Sequence, residues 1–375
     1  MHKDHRFHAL DSFRGLCALA VVVYHLRIYD SFTELAFFRH SYALVSFFFV
    51  LSGFVLTHVY GSRMAFNFRH FFISRTFRLF PLHIFMLGIF IVLEFGKVLA
   101  YDQGISFNHE PFSGKSAPAQ ILPNLFLLQS WTHWTNPLSF NFPAWSISIE
   151  YYTYMLFALT LALIGQRRFF LWLALCGWAF ALIYRQNEFF TQEALRGVFC
   201  FFAGALCYRL FAVVAGRVKP RFMVFTLIEG VSLLVAGVLM VADIEQKFLV
   251  VCLSFCVVVV AFAFEAGAFS RLCTQRLFRL LGKLSYSIYL THAAVLFCVV
   301  SMFMVLEKVL GVTLTFNGAE ARHLDTGNVL LNNLTAALVV LAVVFISSFT
   351  YQYIELKGQA YGRSLIGRKP ALQPL

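Results

Sequence analysis

Charged residues are scarce in this chain. Asp, Glu, Lys and Arg make up 13% of its 375 residues, whereas soluble domains carry about 25%. Apolar residues fill 60% of the chain, 46 residues are Phe, and the mean hydropathy is +0.74. This composition excludes an ordinary soluble globular domain. It predicts an integral membrane protein whose Phe-rich surfaces face lipid.

Several catalytic and metal-binding motifs are missing. None of the eight Cys residues forms a CxxC pair, and most lie inside apolar runs, so we interpret them as small buried hydrophobic residues. GxSxG, a phosphate-binding P-loop and HExxH are also absent. These absences argue against a hydrolase nucleophile elbow, nucleotide hydrolysis and zinc catalysis, and we expect no metal site.

The formal net charge is +12 and the sequence pI is about 9.4. In a soluble protein such a charge suggests nucleic acid binding. Here the basic residues fall between apolar runs, which is typical of cytoplasmic loops in membrane proteins. An anionic ligand on the basic side is a second interpretation. We expect no nucleic-acid partner.

Ten apolar segments predict an all-α fold, a bundle of about ten transmembrane helices, since a span needs about 20 residues. They lie near residues 8–29, 42–60, 71–97, 144–164, 169–184, 194–214, 222–242, 247–264, 280–306 and 328–354. Basic loops on the side of both termini predict cytoplasmic termini and a multi-pass protein of a bacterial inner (plasma) membrane. Residues 1–375 are interpreted as one membrane domain without a separate soluble domain.

The first span carries Asp11, Arg14 and His25. Arg14 and His25 are eleven residues apart, which places them on one helical face about 16 Å apart. Ionisable residues in a span are costly and often functional. Two interpretations of His25 stay open, a hydrogen bond between helices or a general base for a hydroxyl. For Asp11 the sequence suggests an ion pair with Arg14.

Two further motifs carry polar groups. "FFISRTFRLFP" places Arg75 and Arg78 on one helical face, where they bind either lipid headgroups or the phosphates of a ligand. "FPAWSISIEYYTYMLF" places Ser146 and Glu150 on one face, and a buried carboxylate there needs a partner. A structural bond to Arg14 or to a tyrosine, and a functional bond that orients His25, are both possible for Glu150.

Three other segments have weaker signals. The small residues of "FFFVLSGFVL", which include Ser52, predict close helix packing. "GKLSYSIYLTH" stacks Ser285, Tyr289 and His292 on one face, either to line a polar cavity or as packing bonds. Glu355 in "YQYIE" is interpreted as a possible interface residue near the end of the last span.

Together, these motifs resemble the acyltransferase-3 family of membrane O-acyltransferases. "LDSFRGLCALAVVVYH", "FFFVLSGFVL", "ISRTFRLFP", "AWSISIEYYTYMLF", "LGKLSYSIYLTH" and "YQYIE" occur in the family's order over nearly the whole chain. Members are similar bundles of about ten helices. They move acetyl or other acyl groups from cytoplasmic acyl-CoA to hydroxyls of sugars, lipid-linked glycans or peptidoglycan.

The resemblance implies roles for particular residues. His25 is the catalytic histidine, Arg14 the intramembrane arginine and Glu150 the acidic residue of its motif, and we expect all three to act in catalysis. We further hypothesise that Glu150 pairs with His25, and that Arg14 either guides phosphate or polarises the thioester carbonyl. Arg75 and Arg78 bind the donor, acyl-CoA, together with Arg14. The residues expected to line the substrate path are Asp11, Ser52, Trp145, Ser146, Tyr289 and His292.

Two departures from the family pattern affect these expectations. Some members add a C-terminal hydrolase-like domain, whereas this sequence runs only a short way past its last span, so we expect direct transfer or delivery to a partner. The closing "IELKG" lacks the family's proline, which weakens only the role of Glu355.

The rival hypothesis is a proton-coupled secondary transporter, but the sequence has no internal repeat. A purely structural scaffold would leave the Arg14–His25 stripe unexplained.

Overall fold

The computed structural model describes residues 6–61, 66–103, 107, 109–163, 168–318 and 322–367. Its α-helices are α1 His8–His25, α2 Ala36–Arg39, α3 Leu44–Tyr60, α4 Phe68–Asp102, α5 Ile121–Leu125, α6 Ala144–Leu163, α7 Arg168–Tyr184, α8 Gln192–Ala215, α9 Phe222–Val241, α10 Lys247–Ala263, α11 Ala268–Cys273, α12 Arg276–Leu310, α13 Val329–Thr350 and α14 Leu356–Leu365. A π-helical segment, Tyr351–Glu355, joins α13 to α14. The strands β1 Thr315–Asn317 and β2 Arg322–Leu324 form a small antiparallel hairpin between α12 and α13.

Each of the ten predicted spans coincides with a helix. Within the described ranges, seven helical stretches are long and apolar enough to cross a membrane. They are Ser41–Tyr60, Phe68–Asp102, Ala144–Leu163, Gln192–Val214, Phe222–Val241, Arg276–Leu310 and Val329–Leu365. The helices α7 and α10 are apolar but shorter. The protein is therefore a helical, multi-pass membrane protein, while the count of ten and the cytoplasmic termini stay predictions.

Glycines permit two close helix crossings. A Cβ atom on Gly15 of α1 would lie 2.3 Å from the carbonyl carbon of Leu281, and one on Gly282 of α12 would lie 2.4 Å from the carbonyl oxygen of Asp11. Similarly, a Cβ on Gly53 of α3 would lie 1.8 Å from the Phe201 carbonyl oxygen on α8. Only hydrogen fits at such contacts, so these backbones touch directly.

The segment after α1 is fixed by the hairpin and by Arg39. The amide of Tyr29 donates to the Leu324 carbonyl at 2.9 Å, and the amide of Leu324 donates to the Arg27 carbonyl at 2.9 Å. The Arg39 guanidinium donates to the carbonyls of Tyr24 at 3.4 Å and Leu26 at 3.2 Å. The end of α1, where His25 lies, is thus anchored on both sides.

Candidate active site

His25 and His292 form a pair between the end of α1 and the middle of α12. Nδ1 of His25 lies 3.2 Å from Nε2 of His292, and the ring centroids are 5.1 Å apart with nearly parallel planes. Nδ1 of His25 also lies 3.0 Å from the Val21 carbonyl oxygen. Phe142, just before α6, packs against the His25 ring with centroids 4.6 Å apart. His292 is fully buried and His25 half-buried, so one ring supports the other from inside the bundle.

Two of the other predicted site residues extend this pair. Ser146 donates a hydrogen bond of 2.9 Å to the Tyr289 hydroxyl, and the Tyr289 ring lies 5.9 Å from that of His292. Trp145 packs instead against Phe49 of α3, with ring centroids 6.5 Å apart. The structure therefore brings Ser146 and Tyr289 to the histidine pair, and it places Trp145 on a neighbouring face of α6.

Glu150 belongs to a second polar cluster. One oxygen of its buried carboxylate accepts a hydrogen bond of 2.9 Å from Ser52 and a hydrogen bond from the Tyr154 hydroxyl. The hydroxyl oxygens of Tyr154 and Ser52 also lie 3.2 Å apart. Of the alternatives for Glu150, the bond to a tyrosine is confirmed, because Tyr154 lies one turn along the same face of α6. The bond to His25 is wrong, since His25 lies against His292 instead.

Three arginines surround the Glu150 cluster. The Arg75 guanidinium lies 5.8 Å from the centre of the Tyr154 ring, and its Nε atom is buried without a hydrogen bond. The Arg78 guanidinium lies within electrostatic reach of Glu355, Tyr154 and Glu150. Arg14 interacts with the same Tyr154 and Glu355. We call this set, Arg14, Arg75, Arg78, Glu150, Tyr154 and Glu355, the arginine centre.

Glu355 is buried inside the protein, although its sequence position suggested a residue at the membrane interface. Its carboxylate accepts hydrogen bonds from Ser287 of α12 at 2.9 Å and from Gln359 of α14 at 3.1 Å. Glu355 is the last residue of the π-helical segment, and such segments are frequent at functional sites. The missing family proline therefore does not remove Glu355 from the centre.

Asp11 does not pair with Arg14 as the sequence suggested. Its carboxylate binds Arg6 at 2.6 Å, near the surface. Arg14 lies on the side of α1 that faces the arginine centre, where the carboxylate of Glu355 is its electrostatic partner. A buried carboxylate competes better for the guanidinium than a partly hydrated one.

Sequence reasoning missed three residues of these clusters. Tyr154 was detectable, since it stands four residues after Glu150 and must share its face. Ser287 and Phe142 gave no signal, because a serine in "SYSIY" and a phenylalanine in a loop are ordinary. Only the packing of distant segments shows that they contact Glu355 and His25.

The two clusters lie at different heights along one helix. Arg14 belongs to the arginine centre and His25 to the histidine pair, and eleven residues of helix separate them by about 16 Å. Guanidinium groups bind phosphate oxygens, and imidazole accepts and returns protons. Within the described residues no group of three or more His, Cys, Asp or Glu side chains is arranged to hold a metal ion.

Comparisons with known proteins agree with the motifs. The family profile described as "Acyltransferase domain" matches residues 7–353. Acyltransferase MdmB of Streptomyces mycarofaciens is 30% identical over 189 residues, which cover 48% of this chain and 45% of MdmB. Protein 2 in picA locus of Rhizobium radiobacter is 34% identical over 154 residues, 39% of this chain and 77% of that protein. No solved structure gives a significant match.

The two kinds of similarity differ in extent. The alignment with MdmB spans about half of the length of that relative, and therefore carries no conclusion about substrates. The family profile, in contrast, covers the chain from just before α1 into the π-helical segment. Since this match spans nearly the whole chain, and all of both polar clusters except Glu355, the chain belongs to the acyltransferase-3 family.

Proposed function

We propose that the protein is an O-acyltransferase. It transfers an acyl group, with acetyl as the first candidate, from acyl-CoA to a hydroxyl of a sugar in a surface polysaccharide, a lipopolysaccharide or a lipid-linked glycan. Family membership supports acyl transfer, and MdmB is itself named an acyltransferase. The observation that carries the proposal is that one face of α1 contributes Arg14 to the arginine centre and His25 to the histidine pair.

The arginine centre is proposed to bind the phosphates of the donor. Coenzyme A is anionic at its nucleotide end, and the guanidinium groups of Arg75 and Arg78 can bind phosphate oxygens in a bidentate manner. Arg14 belongs to the same centre. Since Arg14 lies about 16 Å from His25 along the helix, its role is to bind phosphate and not to polarise the thioester. Glu150 and Glu355 compensate the positive charge when no donor is bound.

The histidine pair is proposed to carry the chemistry. The pantetheine arm of the donor is long and mostly uncharged, so it can extend from the arginine centre to His25. His25 then removes the proton from the acceptor hydroxyl, or accepts the acyl group itself as an acyl-imidazole. Tyr289 and Ser146 lie where they can bond to acceptor hydroxyls. Ser52 acts on the donor side, through Glu150.

We propose that the two substrates reach the protein from opposite faces of the membrane. With cytoplasmic termini, the arginines at the start of α4 meet acyl-CoA from the cytoplasm, and His25 lies toward the other face of a bacterial inner membrane. We propose that residues 1–375 act as a single membrane domain, with membrane lipids as its surroundings. Transfer across the bilayer then needs no movement of the donor's charged end.

Transfer of label from radiolabelled acetyl-CoA tests the function. Purified protein in nanodiscs is incubated with and without a crude glycan pool, and free coenzyme A and labelled product are measured. We expect His25→Ala to abolish transfer. His133→Ala is the matched control, because His133 is an exposed histidine bonded to the Phe190 carbonyl. Full transfer by His25→Ala would refute the scheme.

Donor binding separates the acyltransferase from the transporter. If wild type is not stabilised against heat by acetyl-CoA and releases no coenzyme A, the transporter hypothesis replaces this proposal. Label that stays on the wild-type protein and not on His25→Ala would favour an acyl-histidine intermediate over direct transfer.

A further inference from the structure

The hydrogen bonds of His25 determine where its ring proton lies. Nδ1 is 3.0 Å from the Val21 carbonyl oxygen, and a carbonyl oxygen can only accept a hydrogen bond. Nδ1 must therefore carry the proton. The same Nδ1 lies 3.2 Å from Nε2 of His292, so Nε2 of His292 is the acceptor in the neutral pair.

The other nitrogen of His25 has no such partner. Among the described residues, none forms a hydrogen bond to Nε2 of His25, and the ring is half-buried. In a neutral imidazole the nitrogen without the proton is the base. The protonation of Nδ1 thus leaves Nε2 as the basic atom.

We infer that His25 reacts through Nε2 and that His292 is a positioning residue, which together with the Val21 carbonyl holds His25 in the Nδ1–H tautomer. The inference rests on the proposed acyl transfer. His292 is suited to this task because it is fully buried and cannot itself meet a substrate easily. Its ring stacks on His25, while Phe142 packs against the same ring, so the orientation of His25 is fixed as well as its tautomer.

The step balances without a further reactant. The acceptor O–H bond breaks, and its proton goes to Nε2 of His25 as the oxygen attacks the thioester carbon. The C–S bond then breaks, and the thiolate of coenzyme A takes the proton from Nε2. While His25 is an imidazolium, its Nδ1–H bonds to His292 and Val21 become charge-assisted and hence stronger. His292 accepts a hydrogen bond throughout and transfers no proton.

Kinetics of His292 variants test the positioning role. We expect His292→Ala to lower kcat for acetyl-CoA turnover about a hundredfold, a typical contribution of a general base, with the KM for acetyl-CoA unchanged. The amide oxygen of His292→Gln lies near the position of Nε2 and can accept the same hydrogen bond, so this variant should recover most of the rate. His133→Gln, on the surface, is the control. Unchanged kcat in His292→Ala would overturn the inference.

A spectroscopic readout separates this inference from the proposed function. Nitrogen-15 NMR of histidine-labelled protein in nanodiscs, assigned with His25→Ala, reports which ring nitrogen carries the proton. We expect His25 protonated at Nδ1 in wild type and His292→Gln, and a larger Nε2–H fraction in His292→Ala, where only the Val21 carbonyl still accepts from Nδ1. A His25 protonated at Nε2 in wild type would refute the inference even if acyl transfer occurs. A protein that shows the Nδ1–H tautomer but transfers no acyl group would refute the proposed function alone.

Discussion

Gly15 lies against Gly282 where α1 crosses α12, and His25 lies against His292 ten residues further along both helices. The equal spacing means that the two helices run side by side in the same direction over about 15 Å. The contact between glycines sets how closely the helices approach. It therefore also sets the separation at which the two imidazoles meet.

Substitution of Gly15 by Ala should separate α1 from α12. The new Cβ would lie 2.3 Å from the Leu281 carbonyl carbon, and forced overpacking costs about 1–3 kcal/mol. We expect a lower thermal stability in detergent and a fall in acyl transfer, since the histidines move apart. Gly177→Ala on α7 is the control, because no atom lies within 4 Å of its added Cβ. Equal melting temperatures for the two variants would contradict the role of the crossing.

Lysine in place of Arg75 or Arg78 should weaken donor binding. Lysine keeps the charge but loses the planar fork that binds phosphate in a bidentate manner. We expect the KM for acetyl-CoA to rise about tenfold per site, equal to about 1.4 kcal/mol, with little change in kcat. The comparison is Arg69→Lys, whose side chain lies exposed at the start of the same helix. A selective loss of kcat would instead place these arginines at the chemical step.

The sequence predicted the helices, and it placed Arg14 and His25 on one face of α1. Apolar runs of about 20 residues predict spans without tertiary information, and the spacing of Arg14 and His25 places both on one face of the helix. It left the partner of Glu150 open among Arg14, a tyrosine and His25. The bond of Glu150 to Ser52 and Tyr154, in place of His25, depends on how α3 packs against α6.

The burial of Glu355 could not be predicted from the sequence either. Its position near the end of the last span is compatible with an exposed interface residue, whereas the structure buries it against Ser287 of α12 and Gln359 of α14. The Asp11–Arg14 pair failed for a related reason, because Arg6 competes for Asp11 and the buried Glu355 for Arg14. Which charged residues pair depends on the tertiary packing, and the sequence alone does not show it.

A double-mutant cycle should measure the coupling between Glu355 and Arg78. Glu355→Gln leaves the hydrogen bond from Ser287 possible but removes the negative charge that faces Arg78. The two side chains interact through their charges and not through a direct hydrogen bond, so we expect a coupling of about 0.5–3 kcal/mol, the range for interacting neighbours. Arg78→Met added to Glu355→Gln should restore much of the stability, since the uncompensated charge is then gone.

Thermal unfolding of the four proteins gives the coupling energy. Arg69→Met in the Glu355→Gln background is the control, since Arg69 is exposed and should restore nothing. Strictly additive effects of Glu355→Gln and Arg78→Met would show that the two side chains do not stabilise one another.

Arg39 should control the rate without affecting donor binding. Its guanidinium bonds to the carbonyls of Tyr24 and Leu26, on either side of His25, where a helix end otherwise leaves carbonyls without partners. Arg39→Ala removes these donors, so the last turn of α1 loosens and His25 leaves its place beside His292. We expect kcat to fall about tenfold, which corresponds to about 1.4 kcal/mol.

The KM for acetyl-CoA should stay constant in Arg39→Ala, because the arginine centre lies about 16 Å further along α1. Arg39→Lys should recover only part of the rate, since one ammonium group does not reproduce the fork that spans both carbonyls. Arg185→Ala, an exposed arginine after α7, controls for loss of surface charge. A raised KM at unchanged kcat would mean that Arg39 acts on the donor, and that the two ends of α1 do not perform separate tasks.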